Sequence, residues 1–225
     1  MSADCCDHDH PNQNELGERG RAYRRVLWAV LGINGAMFAV EMVAGLAAGS
    51  AALQADALDF FGDAANYGIS LLVVGMALRA RALAAILKGA SMGLFGLWVL
   101  GVTVWHGING TVPEASTMGV VGAVALIANA AAFWLLWAYR AGDSNMRSAW
   151  ICTRNDVLGN AAVLLAALGV FGTGTGWPDY IVATVMVALS LQGAVSVFRL
   201  ALRDLRQAEA ATPDGLNALP RGSRR

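Results

Sequence analysis

Ser50-Ala-Ala-Leu-Gln-Ala-Asp56-Ala-Leu-Asp59-Phe-Phe-Gly62-Asp63-Ala-Ala-Asn66 lies in a stretch, residues 50–78, that otherwise has the composition of a membrane span. Asp59 and Asp63 stand at i and i+4, so on a helix both side chains leave one face, a turn apart. A carboxylate near the middle of a bilayer costs roughly 2.5–3.5 kcal/mol on insertion scales. A chain that keeps two of them there has a use for them. Two anionic oxygen donors aimed at one point inside lipid suggest a cation site.

The surrounding sequence puts that stretch in a membrane. Of 225 residues, 56% are hydrophobic and only 14% charged, against about 25% charged in a soluble domain. Uncharged or nearly uncharged runs delimit six candidate spans, at about 27–49, 51–77, 83–107, 115–138, 148–172 and 178–199, each near the ~20 apolar residues that a crossing needs. The expected fold class is an all-α membrane protein with six transmembrane helices. Under alternating topology every Lys and Arg falls on one side, and the other three connections contain none. The positive-inside rule then puts both termini in the cytoplasm. The expected organisation is a cytoplasmic N-terminal tail (1–25), a six-helix transmembrane domain (26–200) and a short cytoplasmic C-terminal tail (201–225), neither tail having the length or periodicity to fold alone. The first apolar run is too long for the ~7–15-residue core of a signal peptide and is read as a retained helix. Three cysteines, two of them on a cytoplasmic tail, are expected as reduced thiols, not a disulfide framework.

The fifth span carries a second pair, Cys152 and Asp156, again at i and i+4. At ~1.5 Å per residue, Asp59 and Asp63 reach roughly 12–18 Å deep from one side and Cys152 and Asp156 roughly 6–12 Å from the other. In a core of about 30 Å the two pairs can meet. Three carboxylates and one thiol suit a tetrahedral Zn²⁺, whereas Mg²⁺ and Ca²⁺ want six or more oxygens. The thiol favours Zn²⁺, Cd²⁺ or another borderline-to-soft ion, although a buried free cysteine can also be a plain packing residue. A further cluster, Cys5-Cys6-Asp7-His8-Asp9-His10, offers soft donors on the N-terminal tail and reads either as an accessory metal collector or as a tail without a role. Asp56, near the face of Asp59 and Asp63, reads as lining an exit path or as a packing residue. Glu41 reads as a pathway carboxylate or as the partner of a polar residue. Lys88 and Arg154 are expected to snorkel to the interface. Gly45 with Gly49, and Gly89 with Gly93, form small-xxx-small pairs that allow close helix approach. Asp59-Phe-Phe-Gly62-Asp63-Ala-Ala also resembles Asp156-Val-Leu-Gly159-Asn160-Ala-Ala three helices later, as an inverted 3+3 repeat would.

Several motifs in order carry a family resemblance. Asn34-Gly-Ala-Met-Phe-Ala-Val-Glu41-Met-Val-Ala-Gly45, then Gly49-Ser50 to Ala57, resembles the first two helices of the cation diffusion facilitator family. Asp59 and Asp63 fall on that family's second-helix metal pair. Asn145-Met-Arg147-Ser-Ala-Trp, Cys152 and Asp156-Val-Leu-Gly-Asn resemble the fifth helix with its His-xxx-Asp pair, and Trp177-Pro-Asp179 resembles the start of the sixth. Cysteine here stands where the family has histidine, and only about 25 residues follow the sixth span, so the chain resembles a short member without the usual C-terminal cytoplasmic domain. The resemblance, over residues 27–203, implies a divalent-metal exporter in the inner membrane, a homodimer exchanging metal for protons. Proton coupling has a plain basis, because carboxylates and thiolates bind metal only when deprotonated. Zn²⁺ is the first expected substrate, with Cd²⁺, Co²⁺ or Fe²⁺ as alternatives. No fixed cofactor and no nucleic-acid partner are expected; the remaining partners are protons and membrane lipid. The rival readings are a non-transporting metal receptor or accessory subunit, and an intramembrane aspartyl-type enzyme using Asp59 with Asp156.

Overall fold

The computed structural model describes residues 13–72, 78–138 and 144–210, with the side chains of 13–20, 70, 72, 78, 81, 144–155, 209 and 210 outside that description. Six helices account for it: α1 Gln13–Ala48, α2 Ala51–Leu72, α3 Leu78–Asn109, α4 Ala115–Trp137, α5 Ser144–Thr173 and α6 Trp177–Ala210. No strand occurs among the described residues, as an all-α membrane protein requires.

The helices overrun the apolar spans at the arginine-bearing end. α1 begins at Gln13 and α6 continues to Ala210, so much of each polar tail prolongs the helix beside it. The reason is cooperativity: extending an existing helix fixes one residue per hydrogen bond, whereas starting one is costly. Tyr23 and Leu27 on the α1 extension pack with Tyr67 and Leu71 of α2 and with Ala132 and Leu136 of α4.

Among the described residues five helices are long and apolar enough to cross a membrane, and α2, described as far as Leu72, is not among them. Its composition follows from its place. α2 packs against α1, α3, α5 and α6, so protein surrounds it. Every residue from Ala51 to Leu58 is buried. An interior helix needs no lipid-compatible face, which is where charges within a membrane are tolerated. The outer helices do the reverse, turning Leu94 and Trp105 of α3, Ile127 and Trp134 of α4, and Leu165 and Phe171 of α5 outward.

Three short turns close the end opposite the arginines. Gly49, Gly110 and Gly174 each adopt positive φ, near 65°, the left-handed conformation that ends helices and favours glycine. Hydrogen bonds tie this hairpin end together. Glu114 N–H donates to Ala48 O at 3.0 Å, and the Tyr180 hydroxyl donates to His106 O at 3.1 Å and to Thr111 O. Asp179, at the start of α6, accepts from Ser50 Oγ at 2.7 Å and from the N–H groups of Ala51 and Ala52 at 2.9 and 3.1 Å. It thereby caps α2, the helix that carries the aspartates.

Of the small-residue pairs, one member each makes the close approach. A Cβ on Gly45 would stand 3.0–3.1 Å from Gln54 and Leu53, and one on Gly89 would stand 3.3 Å from Ala194 O. Gly93 has open space, and Gly49 serves the turn.

Candidate functional site

α2 turns Asp59 and Asp63 toward α5, where Asp156 begins the described part of the helix surface. Both α2 carboxyl groups lie within hydrogen-bonding reach of the Asp156 carboxyl. Asp63 also accepts from the Tyr67 hydroxyl at 3.4 Å, one turn further on. The three acids line one cavity of about 660 Å³ between α2, α3, α5 and α6. The cavity sits near the middle of the bundle and reaches toward the arginine-bearing end, where Lys88 in the first half of α3 and Val197 in the second half of α6 line it. Among the described residues no group of three His, Cys, Asp or Glu side chains is closed enough to hold a metal ion. The carboxylates therefore face a shared space without gripping a single point.

Cys152 belongs to α5 one turn before Asp156, but its side chain lies outside the described residues. Cys5, Cys6, His8 and His10 lie outside them altogether. His106, the histidine of α3, sits at the hairpin end beside Asp179, away from the cavity.

Lys88 departs from expectation. Instead of snorkelling outward it turns into the cavity, is 7% exposed and donates to Asn66 Oδ1. Its ammonium is near enough to Asp59 and Asp63 to act on both. The cause is the face of α3 that Lys88 occupies: it points between α3 and α2, lines the cavity and pairs there with Asn66.

Toward the hairpin end the cavity is shut by a polar layer. Glu41 of α1, Asp56 of α2 and Asn160 of α5 are each fully buried. Glu41 and Asp56 face one another within hydrogen-bonding reach, and no donor group of the described residues reaches either Glu41 oxygen. Asn160 Nδ2 donates to Asp56 Oδ1 and to the Asp156 backbone carbonyl, both at 3.1 Å. Two facing carboxyl groups are satisfied only by a proton or a cation between them. This layer joins Asp56 and Glu41 to each other, beyond the three cavity acids.

A family profile, the cation efflux transmembrane domain, matches residues 27–206. The chain belongs to the cation diffusion facilitator family. This facilitator chain is 24% identical over 224 residues to the "Cadmium, cobalt and zinc/H(+)-K(+) antiporter" of Bacillus subtilis, covering 92% of itself and 68% of that protein. It is 25% identical over 220 residues to zinc transporter ZitB of Escherichia coli, covering 92% of itself and 70% of that relative. It is also 25% identical over 191 residues to the metal cation efflux system protein CzcD of Cupriavidus metallidurans, covering 80% of itself and 58% of that relative. With its apolar helices, the facilitator is a multi-pass membrane transporter of the metal-efflux class.

Proposed function

We propose that this facilitator exports a divalent transition metal in exchange for protons, by alternating access about Asp59, Asp63 and Asp156. The single observation that carries the reading is the meeting of these three carboxylates, from two helices, in one cavity inside a membrane protein. Cys152, a turn from Asp156 on α5, is the proposed fourth ligand. Carboxylates with a thiol suit Zn²⁺ first, with Cd²⁺, Co²⁺ or Fe²⁺ as further substrates. The names of the relatives, which include zinc, cadmium and cobalt, agree with that choice.

The arginine-bearing end is assigned to the cytoplasm of an inner membrane, with both termini there, because the connections at the hairpin end contain no Lys or Arg. The cavity then opens inward, and the Glu41–Asp56–Asn160 layer with the bonded turns beyond it forms the closed outer gate. Metal enters the deprotonated carboxylates from inside. Opening the hairpin end exposes them to protons that compete for the same oxygens and release the metal outside. The proposed assembly is a homodimer, and the Cys5-His10 cluster is proposed to collect metal at the inner mouth.

The test is zinc flux into proteoliposomes under imposed pH gradients. Wild type should respond to the direction of the gradient, and Asp63→Ala should insert normally yet transport nothing. Flux indifferent to the gradient would remove the proton exchange. Undiminished flux in Asp63→Ala would remove the site.

A further inference from the structure

We propose that Lys88 is a tethered counter-cation of the Asp59–Asp63–Asp156 cavity, one that makes the site select divalent over monovalent cations. The inference rests on the transport reading of that cavity and adds a determinant of selectivity to it. Lys88 is the only lysine of the sequence, every other basic side chain apart from the three histidines being arginine. It is buried, it lines the same cavity as the three acids, and it donates to Asn66, which follows Asp63 by three residues on α2.

Charge counting gives the role. Before metal enters, with the Cys152 thiol still protonated, three ionised carboxylates and one ammonium leave two negative charges in the cavity, the complement of one divalent ion. A monovalent cation entering the same space leaves a residual negative charge, and an uncompensated charge in a low-dielectric interior is expensive. Without Lys88 the cavity would hold three negative charges. It would grip a divalent ion too tightly to release it and would still attract a monovalent one. The residue type matters as well. A lysine ammonium is a compact point charge on a flexible stem, able to shift toward Asn66 as the metal enters, whereas an arginine fork locks onto carboxylates in pairs.

The experiment uses the full chain in lipid nanodiscs, with Zn²⁺ titrated calorimetrically at low and at high K⁺. Wild type, Lys88→Gln, Lys88→Arg and Asn66→Ala are compared, with the exposed Arg203→Gln as a charge control. Lys88→Gln should bind Zn²⁺ about tenfold or more tightly, since removing a nearby like charge relieves repulsion of the metal. It should also become sensitive to K⁺ competition and turn over more slowly in proteoliposomes. Lys88→Arg should keep the resistance to K⁺ without any gain in affinity. Asn66→Ala keeps the lysine but removes its retreat, and should bind Zn²⁺ about tenfold or more weakly, the loss of one hydrogen bond to a charged group. Wild-type affinity and K⁺ resistance in Lys88→Gln would overturn the role of Lys88 alone. So would an equal shift in Arg203→Gln, or a tightening in Asn66→Ala. A wild type that binds no Zn²⁺ at all would overturn the transport reading together with this one.

Discussion

Asp179 is the residue on which the placement of α2 most depends, and its removal has a cost that can be worked from the contacts. Its carboxylate accepts three buried hydrogen bonds, from Ser50 Oγ, Ala51 N–H and Ala52 N–H, all between 2.7 and 3.1 Å. Asp179→Ala leaves all three donors without a partner. At about 1–1.5 kcal/mol for each orphaned group the loss is about 3–4.5 kcal/mol. The anion at the positive end of α2 adds about 0.3–1 kcal/mol to that. Asp179→Asn keeps the shape and one acceptor oxygen but points amide hydrogens at a backbone N–H, so it should lose about 2 kcal/mol. Ser50→Ala removes one donor and also the hydroxyl that accepts from Leu53 N–H at 3.0 Å, a cap worth about 1 kcal/mol. Because Ser50 and Asp179 share a bond, the double variant should lose less than the sum of the singles, by about 1–2 kcal/mol. The assay is reversible unfolding in mixed micelles, followed by tryptophan fluorescence, with zinc flux measured in parallel. Flux should fall in Asp179→Ala, since Asp59 and Asp63 ride on the helix that loses its cap. Asp179→Ala within about 1 kcal/mol of wild type, or strict additivity with Ser50→Ala, would refute the capping account.

Two further predictions follow from the packing. Gly45→Ala should destabilise the same bundle by about 1–3 kcal/mol, because its Cβ would meet the Gln54 backbone nitrogen at 3.1 Å. Gly93→Ala, with nothing within 4 Å, should change stability by no more than about 0.5 kcal/mol, and equal losses in the two would contradict the helix spacing. Glu41→Gln puts an amide donor opposite Asp56 and should leave unfolding within about 1 kcal/mol of wild type or raise it. A loss beyond about 3 kcal/mol would mean that Glu41 meets a cation or donor rather than the facing carboxyl group.

Much of the fold was legible because hydropathy and charge segregation are strong, local signals. The six helices begin at or close to the expected positions in four cases, α2, α4, α5 and α6, and each candidate span has its helix. The helix ends were less legible, since polar residues such as Gln13–Arg25 prolong a helix at little cost once it exists. Asp59, Asp63 and Asp156, which line one cavity, stood out in the sequence because carboxylates in an apolar run are conspicuous whatever surrounds them. Lys88 was misread because the face of α3 that meets α2 rather than lipid is set by packing between helices, which the sequence around residue 88 does not show.

By itself the sequence determined that this chain is a six-helix membrane protein of the metal-efflux class with acids where lipid would forbid them. Composition and motif order are properties of short windows, and they suffice for that. Only the tertiary structure decided which groups answer which. Asp179 caps a helix that starts 128 residues earlier, Glu41 meets Asp56, and Lys88 faces the aspartates across the cavity. Each of these pairings joins different helices. Their partners depend on how α2 is rotated among α1, α3, α5 and α6, which the packing of all five together sets and no window of sequence contains.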